Sequence, residues 1–250
     1  MYNSFFKKIN KTSTNNNLKP ALFLHIQKTA GSSIVEYARQ YYSSVISHGD
    51  FMYCKPEEFN DIQFISGHFG YEFAKYYIPR RYSFVFLRDP VERVLSFYYY
   101  CRSGNLNDFK AYRAARENNL EQFLALGFTD YSIGHGIVNN QAWQLACDYG
   151  LRNIRKYTNS EIQELAINHL DNFSYIGFTE TFDEDRDNLM KALGLPIPEC
   201  DTKTNANYGR PNRKDITSNA LEILHEITRA DQVLYDEAWS RRRANNKISP

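Results

Sequence analysis

The sequence predicts an α/β fold in which a parallel central sheet is flanked by helices. Short apolar runs alternate with segments of helical periodicity along the chain, which is the pattern of β-α-β units with a parallel sheet. Polar residues follow directly after two of these runs, where ligands bind in such folds. The length of 250 residues suits a single domain with a proper core. We therefore expect a flexible polar arm over residues 1–19 and one domain over residues 20–250.

The first predicted strand lies in the apolar run from Ala21 to Ile26 and ends in a polar loop. From Ser33 onward the apolar residues follow helical spacing, at Ile34, Ala38, Tyr41 or Tyr42, and Val45. The loop between them contains Lys28, Thr29, Ala30, Gly31, Ser32 and Ser33. A lysine and hydroxyls at the positive end of a helix favour an oxyanion, most often phosphate. The loop differs from the nucleotide-triphosphate loop, because here the lysine precedes the glycine.

A second strand-to-helix junction follows the apolar run from Ser83 to Leu87. Asp89 is suited to cap the helix, Pro90 to its first position, and Glu92 to the acidic position of a capping box. Arg88 is thereby placed at the carboxyl end of a strand, and its guanidinium can bind a phosphate through two hydrogen bonds. The alternative is a well-capped helix in which Arg88 pairs with a neighbouring acid.

The remaining elements complete the alternating pattern. Phe64 and Ile65 predict a short strand before His68, and Ser174 to Phe178 predicts another buried strand. Capping residues and apolar periodicity predict further helices. These cover Ser160 to about Leu170, Thr181 to Gly194, Ser218 to Ala230 and Gln232 to Arg243.

Composition excludes several classes of function. A formal net charge of +1 provides no overall field for nucleic acid, and no run reaches the roughly 20 apolar residues of a membrane span. Four cysteines lie far apart without metal-ligand spacing, at Cys54, Cys101, Cys147 and Cys200. We expect them to be reduced thiols in a cytoplasm, with no metal site. The N-terminal residues lack the apolar stretch of a signal peptide.

Two signatures resemble those of a family of sulfotransferases that includes heparan sulfate 2-O-sulfotransferases and soluble bacterial enzymes. The segment from His25 to Ser33 is similar to H-I-P-K-T-A-G-T-S, with Gln27 where proline is usual. The segment from Arg88 to Tyr98 is similar to R-D-P-x-x-R-x-x-S-x-Y. Gly67-His68-Phe69 resembles a segment between them, and Tyr175 to Glu184 a later strand-helix unit. The resemblance spans about residues 20 to 240 and implies the sulfotransferase version of the P-loop nucleotide hydrolase fold.

The resemblance implies a donor, 3′-phosphoadenosine 5′-phosphosulfate (PAPS), and a product, 3′-phosphoadenosine 5′-phosphate (PAP). Residues 28–33 would then hold the 5′-phosphosulfate, and Arg88 with Ser96 the 3′-phosphate. A late basic loop would cover the adenosine, and its candidate residues are Tyr208, Arg210, Arg213 and Lys214. Each of these has the alternative of a solvated polar turn.

Sulfuryl transfer resembles phosphoryl transfer, so catalysis consists mainly of positioning and electrostatic stabilisation. Lys28 is suited to stabilise the leaving group, and a histidine to remove the proton of the acceptor hydroxyl. His68 is the predicted base because it matches the family's G-H-F histidine, and His25 is the alternative. His135 and Gln141 are predicted, with His25 and His68, to contact the acceptor. A glycine-flanked surface loop is the other interpretation of the segment around His135.

The acceptor is expected to be a small specialised metabolite, such as an alkaloid, because the chain is short, rich in aromatic residues and nearly neutral. Sulfation of a polysaccharide or glycolipid sugar, sulfation of an amine-like nitrogen and a non-catalytic binding module remain alternatives. A nucleotide-dependent kinase is a further alternative, which the missing Walker loop and magnesium motif disfavour. With the composition, this leads us to expect a soluble, cytoplasmic bacterial enzyme of natural product biosynthesis, of unknown oligomeric state.

Overall fold

The structure, a computed structural model, describes residues 18–47, 54–104, 109–147, 157–198 and 213–248. Within these ranges five strands form one parallel sheet in the order β2-β3-β1-β4-β5. The strands are β1 (Ala21–Leu24), β2 (Val45–Ile46), β3 (Phe64–Gly67), β4 (Tyr82–Leu87) and β5 (Tyr175–Phe178). A parallel sheet with non-consecutive neighbours confirms the predicted α/β fold.

Helices cover both faces of the sheet and form an additional layer beside it. Those before the last sheet strand are α1 (Gly31–Tyr41), α2 (Tyr71–Ala74), α3 (Pro90–Ser103), α4 (Lys110–Glu117), α5 (Leu120–Thr129), α6 (Tyr131–Ile137), α7 (Asn140–Ala146) and α8 (Asn159–His169). After β5 follow α9 (Phe182–Leu193), α10 (Ser218–Ile227) and α11 (Arg229–Ile248). No described helix is long and apolar enough to cross a membrane.

The buried core follows the alternation of side chains along β1. Leu22 and Leu24 pack on one face with residues of α2, α7, α8 and α11. Phe23 packs on the other face with residues of α1 and α9. A third apolar cluster joins α3, α4, α5, α6 and α10. Burial on both faces explains why the strands are short, continuous apolar runs rather than alternating ones.

The register of the sheet aligns the carboxyl ends of its central strands. Leu24 pairs with Gly67 of β3 and with Val85 of β4. The residues that follow each strand therefore leave the sheet along one edge. This edge carries the loops that contain Lys28, His68 and Arg88, and ligands of open α/β sheets bind at the carboxyl ends of the strands.

Several predicted boundaries are wrong by a few residues. The first helix begins at Gly31 and ends at Tyr41, and Val45, predicted on its apolar stripe, begins β2 instead. The chain becomes extended at Tyr42, and Phe64 N donates to Ser44 O, so the sheet captures this segment. Long-range strand pairing here overrides the helical periodicity of the local sequence.

The caps of the later helices decide their limits. Thr158, rather than Ser160, caps α8, and Glu161 completes its capping box. Gly194 ends α9 with a φ of 76°, as predicted. The predicted terminal pair is confirmed, but it breaks at Thr228. Residues 1–17 lie outside the described residues, so the N-terminal arm and the domain limits stay predictions.

Candidate active site

The first loop at the carboxyl edge is a tight turn between β1 and α1. Lys28 and Ala30 adopt positive φ angles of 69° and 63°, an uncommon conformation for residues with a Cβ. The hydroxyl of Thr29 is fully buried and donates to Ile26 O at 2.9 Å. Thr29 therefore stabilises the turn itself, while the side chain of Ser32 is exposed beside it.

The N-terminus of α1 is open to an anion. Its cap residue, Ala30, makes no side-chain hydrogen bond, and its first turn contains no acidic residue. Ser33 N donates to Ala30 O at 3.2 Å, and the Ser33 side chain is 7% exposed. The positive end of the helix dipole is therefore without a carboxylate of its own turn, as an oxyanion site requires.

Lys28 lies mostly buried beside this helix end. Its Nζ is 3.7 Å from the centroid of the Tyr100 ring. Burial, and then the nearby charge of Arg88, lowers the pKa of Lys28 to about 8, and Cys101 opposes this shift. The ammonium is thus poorly solvated, which strengthens its interaction with any negative charge that enters the site.

Arg88 connects the second junction to the first. Its Nη1 donates to the carbonyl oxygen of Lys28 at 3.1 Å. The backbone N–H of Arg88 donates to Gln141 Oε1 at 3.0 Å, and its carbonyl accepts from Gln141 Nε2 at 2.9 Å. Gln141 is fully buried, and both polar atoms of its side chain are used in this way. The structure favours a positioning role for Gln141 over the predicted acceptor contact.

Asp89 caps α3 as predicted, since its Oδ1 accepts from Glu92 N at 2.9 Å. The reciprocal capping bond expected from Glu92 is replaced, because Asp89 N donates to Glu180 Oε1 at 2.8 Å. Arg213 lies 3.5 Å from Asp89 Oδ2. The start of the turn at Arg213–Asp215 therefore reaches the Arg88 junction.

The other predicted residues of the late basic loop fall, entirely or in their side chains, outside the part of the chain that the structure describes. Tyr208 and Arg210 lie outside the described residues, as does the side chain of Lys214. Ser96 lies on α3 and is partly exposed. Its assignment to the 3′-phosphate stays a prediction.

His68 is held by the chain that leaves β1. Its Nδ1 lies 2.6 Å from the carbonyl oxygen of His25. A carbonyl oxygen only accepts, so Nδ1 carries the proton and Nε2 of the neutral ring carries the lone pair. His68 is half-buried, and its ring centroid lies 4.5 Å from that of His25. This tautomer is the one that a general base needs.

His25 is itself enclosed. Its side chain is 3% exposed and stacks on Phe23 with a centroid distance of 5.0 Å. A Cβ at Gly31 would lie 2.2 Å from His25 Nε2. The glycine of the first signature therefore makes room for this ring. These contacts favour His68 over His25 as the base, because His68 is the more exposed of the two.

Gln144 supports the same carbonyl as His68. Its Nε2 donates to His25 O at 3.1 Å and to Phe69 O at 2.9 Å, and its side chain is fully buried. One amide thus spans the ends of β1 and β3 on either side of His68. Gln141 and Gln144 lie three residues apart on α7, so one helix face supports both Arg88 and His68.

Two buried residues cap α7 and α11 reciprocally. Asp231 accepts from Ala142 N at 2.7 Å and from Gln141 N at 3.3 Å. Asn139 Oδ1 accepts in turn from Ala230 N at 2.9 Å and from Asp231 N at 3.3 Å. Burial raises the pKa of Asp231 to about 6, against the opposing charge of Arg93. This arrangement orients the helix that carries both glutamines.

His135 lies in α6, so the predicted surface loop around it is wrong. Within this helix, Gly134 and Gly136 lie in contacts that leave no room for a side chain. A Cβ at Gly134 would lie 2.5 Å from Gly127 O, and one at Gly136 would lie 2.9 Å from the Phe97 ring. His135 stacks on Tyr131, and burial lowers its pKa. The predicted contact of His135 with the acceptor stays a prediction.

The comparison with protein families decides the classification. A model of the sulfotransferase family matches residues 15–236, which is most of the chain. The chain belongs to the sulfotransferase family. A comparison with curated proteins finds no match.

The residues of this sulfotransferase fit a highly charged sulfate and phosphate donor. The carboxyl edge combines Lys28, Arg88 and the open N-terminus of α1. The neighbouring Arg213 adds a third cation. Such a set of donors is suited to anionic oxygens, and the two predicted signatures are brought together as expected.

Three contributors escaped the sequence interpretation. Gln144 and Asp231 act through backbone groups of distant segments, and Glu180 binds the backbone of Asp89 from the end of β5. The signal for Gln144 and Asp231 was a polar residue within an apolar helical pattern, and Glu180 lies within the strand-helix unit from Tyr175 to Glu184 that resembles the family. Tyr100 belongs to an aromatic run that the sequence already suggested for a cleft, but its contact with Lys28 needed the fold.

Proposed function

We propose that this sulfotransferase transfers the sulfuryl group of PAPS to the hydroxyl of a small-molecule acceptor and releases PAP. The observation that carries the proposal is the hydrogen bond between Arg88 Nη1 and Lys28 O at 3.1 Å. It joins the two cationic junctions of the sheet edge beside an open helix N-terminus. A nucleotide with phosphates at two ends requires two such cationic positions.

The donor supplies an activated sulfuryl group whose leaving group is a phosphate. The backbone from Lys28 to Ser33 would hold the 5′-phosphosulfate with the N–H groups of the first turn of α1. Arg88 and Ser96 would hold the 3′-phosphate, and Arg213 with Tyr208, Arg210 and Lys214 would cover the nucleotide. Thr29 contributes mainly through its backbone, because its hydroxyl is bonded to Ile26 O.

Lys28 and His68 divide the chemistry between them. The protonated Lys28 stabilises negative charge as it develops on the leaving group, an effect that grows in a poorly solvated site. His68 Nε2 accepts the proton of the acceptor hydroxyl, since Nδ1 is committed to His25 O. His68 is then an imidazolium that carries the acceptor's proton, and its Nδ1–H still donates to that carbonyl oxygen.

A small acceptor is favoured over an acidic polymer. The net charge of +1 gives no broad cationic surface for a polysaccharide. An aromatic side chain, Tyr100, stands at the Lys28 ammonium. We propose a specialised metabolite as acceptor and the cytoplasm as location; sulfation of a polysaccharide or glycolipid sugar is the second candidate.

Calorimetric titration with PAP and with ATP tests the donor. Wild-type protein is expected to bind PAP at micromolar concentration and ATP much more weakly. Arg88→Ala is expected to lose PAP binding at least tenfold, since a charged hydrogen bond contributes about 1.5–3 kcal/mol. Arg80→Ala is the matched control, because Arg80 is an exposed arginine that packs on Tyr76. Preference for ATP would contradict the proposal and favour a kinase.

The transfer reaction is then tested by measuring the release of PAP from PAPS. One set of assays contains pools of small hydroxylated and amine acceptors, and a separate set contains desulfated polysaccharides. Activity with a small acceptor supports the proposal. Activity confined to polysaccharides would replace the acceptor. PAP binding without transfer to any acceptor would favour a non-catalytic binding module.

A further inference from the structure

We propose that Tyr100 is a positioning residue that holds the Lys28 ammonium against its ring face, ready for the donor. The proposal rests on the proposed function, because it gives Lys28 its catalytic meaning. The residue lies near the end of α3, on the chain that begins with the Arg88 junction. Helix α3 would thus begin beside Arg88 and end near Lys28, the two residues that we propose to bind the donor.

The geometry of the contact is that of a cation–π interaction. Lys28 Nζ lies 3.7 Å from the Tyr100 ring centroid, well within the distance of about 6 Å at which such attraction acts. The Tyr100 side chain is itself exposed, whereas the ammonium beneath it is mostly buried. Desolvation strengthens attraction of this kind.

The ring is itself held in place. Tyr112 of α4 packs against Tyr100 in an edge-to-face arrangement, with ring centroids 5.8 Å apart. Tyr112 in turn packs over Gly104, where a Cβ would lie 2.5 Å from its ring. The contact with Tyr112 therefore restricts the Tyr100 ring.

Burial and the charge of Arg88 both disfavour the protonated form of Lys28. Among the described residues, the electrostatic neighbours of Lys28 are the cation Arg88 and the thiol of Cys101. Burial raises the pKa of Cys101 to about 12, so it is a neutral thiol at physiological pH. Arg88 repels the ammonium. Besides the minor effect of Cys101, the negative face of the Tyr100 ring favours the charged lysine before any donor enters.

The ring and a donor would act in sequence on one ammonium. Before binding, the ring keeps Nζ charged and in one position. The sulfate and phosphate oxygens of the donor then offer full negative charges, against which the ring competes weakly. A side chain placed in advance loses less conformational freedom when the donor binds.

The test measures the titration of Lys28 without donor. Lysines are reductively methylated with ¹³C-formaldehyde, and the Lys28 methyl signal is assigned by its absence in Lys28→Arg. Tyr100→Phe keeps the ring, whereas Tyr100→Leu and Tyr100→Met remove it at similar volume. Tyr76→Leu is the control, because it removes a comparable ring whose centroid lies 4.6 Å from the Arg80 guanidinium carbon.

The titration midpoint of Lys28 is expected to fall by about 0.5–1 pH unit in Tyr100→Leu and Tyr100→Met. It is expected to stay unchanged in Tyr100→Phe and Tyr76→Leu. An unchanged midpoint in both ring-deleted variants overturns the proposal. A fall in Tyr100→Phe as large as in Tyr100→Leu also overturns it, because the hydroxyl would then be the active group. A thermal melt of each variant confirms that the fold is intact.

This measurement separates the two proposals. The midpoint requires neither PAPS nor turnover, so it stays informative if PAP fails to bind. With PAP present, a functional site predicts a large rise of the Lys28 midpoint in all folded variants. A Tyr100-dependent midpoint without that rise would support the contact and contradict the donor assignment.

Discussion

The Nδ1 atom of His68 lies 2.6 Å from the carbonyl oxygen of His25. The same oxygen accepts a hydrogen bond from Gln144 Nε2 at 3.1 Å. The end of β1 thus fixes the tautomer of a histidine that follows β3. The arrangement leaves Nε2 of the neutral imidazole as the basic atom, and it depends on the parallel register of Leu24 with Gly67.

Replacement of His68 by alanine is expected to reduce kcat about 10²- to 10⁴-fold, because a general base contributes that much. PAP affinity should change less than threefold, since the proposed donor contacts come from other residues. Single-turnover kinetics and calorimetry provide the two readouts. Near-normal kcat in this variant would exclude His68 as the base and direct attention to His25.

Gln141→Leu and Gln144→Leu are expected to reduce different functional parameters: PAP affinity in the first variant and kcat in the second. Gln144 bonds to His25 O and Phe69 O, so its loss should reduce kcat by about tenfold and leave PAP binding nearly intact. Gln141 bonds to both backbone groups of Arg88, so its loss should weaken PAP binding instead. Each variant also loses two hydrogen bonds to backbone groups, which contribute about 0.5–1.5 kcal/mol each to the unfolding free energy. Equal losses of kcat and PAP affinity in both variants would mean that α7 acts only as a structural element.

The alkaline limb of the pH profile is expected to report Lys28. Its pKa is lowered to about 8, and only the protonated form stabilises the leaving group. The kcat/KM of the wild type should therefore fall as pH rises above about 8, because this parameter reports the free enzyme. Lys28→Arg should retain a small activity without that limb, since a guanidinium stays charged. The same limb in Lys28→Arg would assign it to another group.

Gly31→Ala is expected to disrupt the first loop. The new Cβ would lie 2.2 Å from His25 Nε2, and overpacking of this kind costs about 1–3 kcal/mol. Displacement of His25 should also abolish PAP binding. Gly194→Ala is the control, because its φ of 76° is strained for alanine but nothing lies within 4 Å. That variant should lose about 1 kcal/mol and bind PAP normally; equal PAP affinity in both variants would contradict the prediction.

Asp231→Asn is expected to change the pH dependence of stability. Burial raises the pKa of Asp231 from 3.8 to about 6. Between these values the folded protein binds a proton that the unfolded chain releases, so its free energy of unfolding falls as pH rises. The loss is about 3 kcal/mol for a shift of about two units. Asparagine does not titrate, so urea denaturation from pH 4 to 8 should show the variant gaining stability relative to wild type by up to that amount. A constant difference across this range would exclude the shift.

The sequence alone was sufficient for the alternation of strands and helices, for the cap of α3 at Asp89 and for the end of α9 at Gly194. These features depend on residues close in the chain, such as an apolar run or a glycine with positive φ. The two signature loops were also predictable, because each holds its charged residue within a few positions of a helix start.

The tertiary structure decided what those loops contact. Val45 joined the sheet because Ser44 and Phe64 pair across the chain, and periodicity contains no such information. The segment around His135 packs closely as helix α6 through its glycines, and these contacts come from distant residues. The supporting contacts also join residues that are tens of positions apart in the chain. Gln141 binds Arg88 and Gln144 binds His25. Asp231 caps α7, and Tyr100 covers Lys28. Local pattern determined the elements and the chemistry of the loops, whereas packing of distant segments determined which atoms face the site.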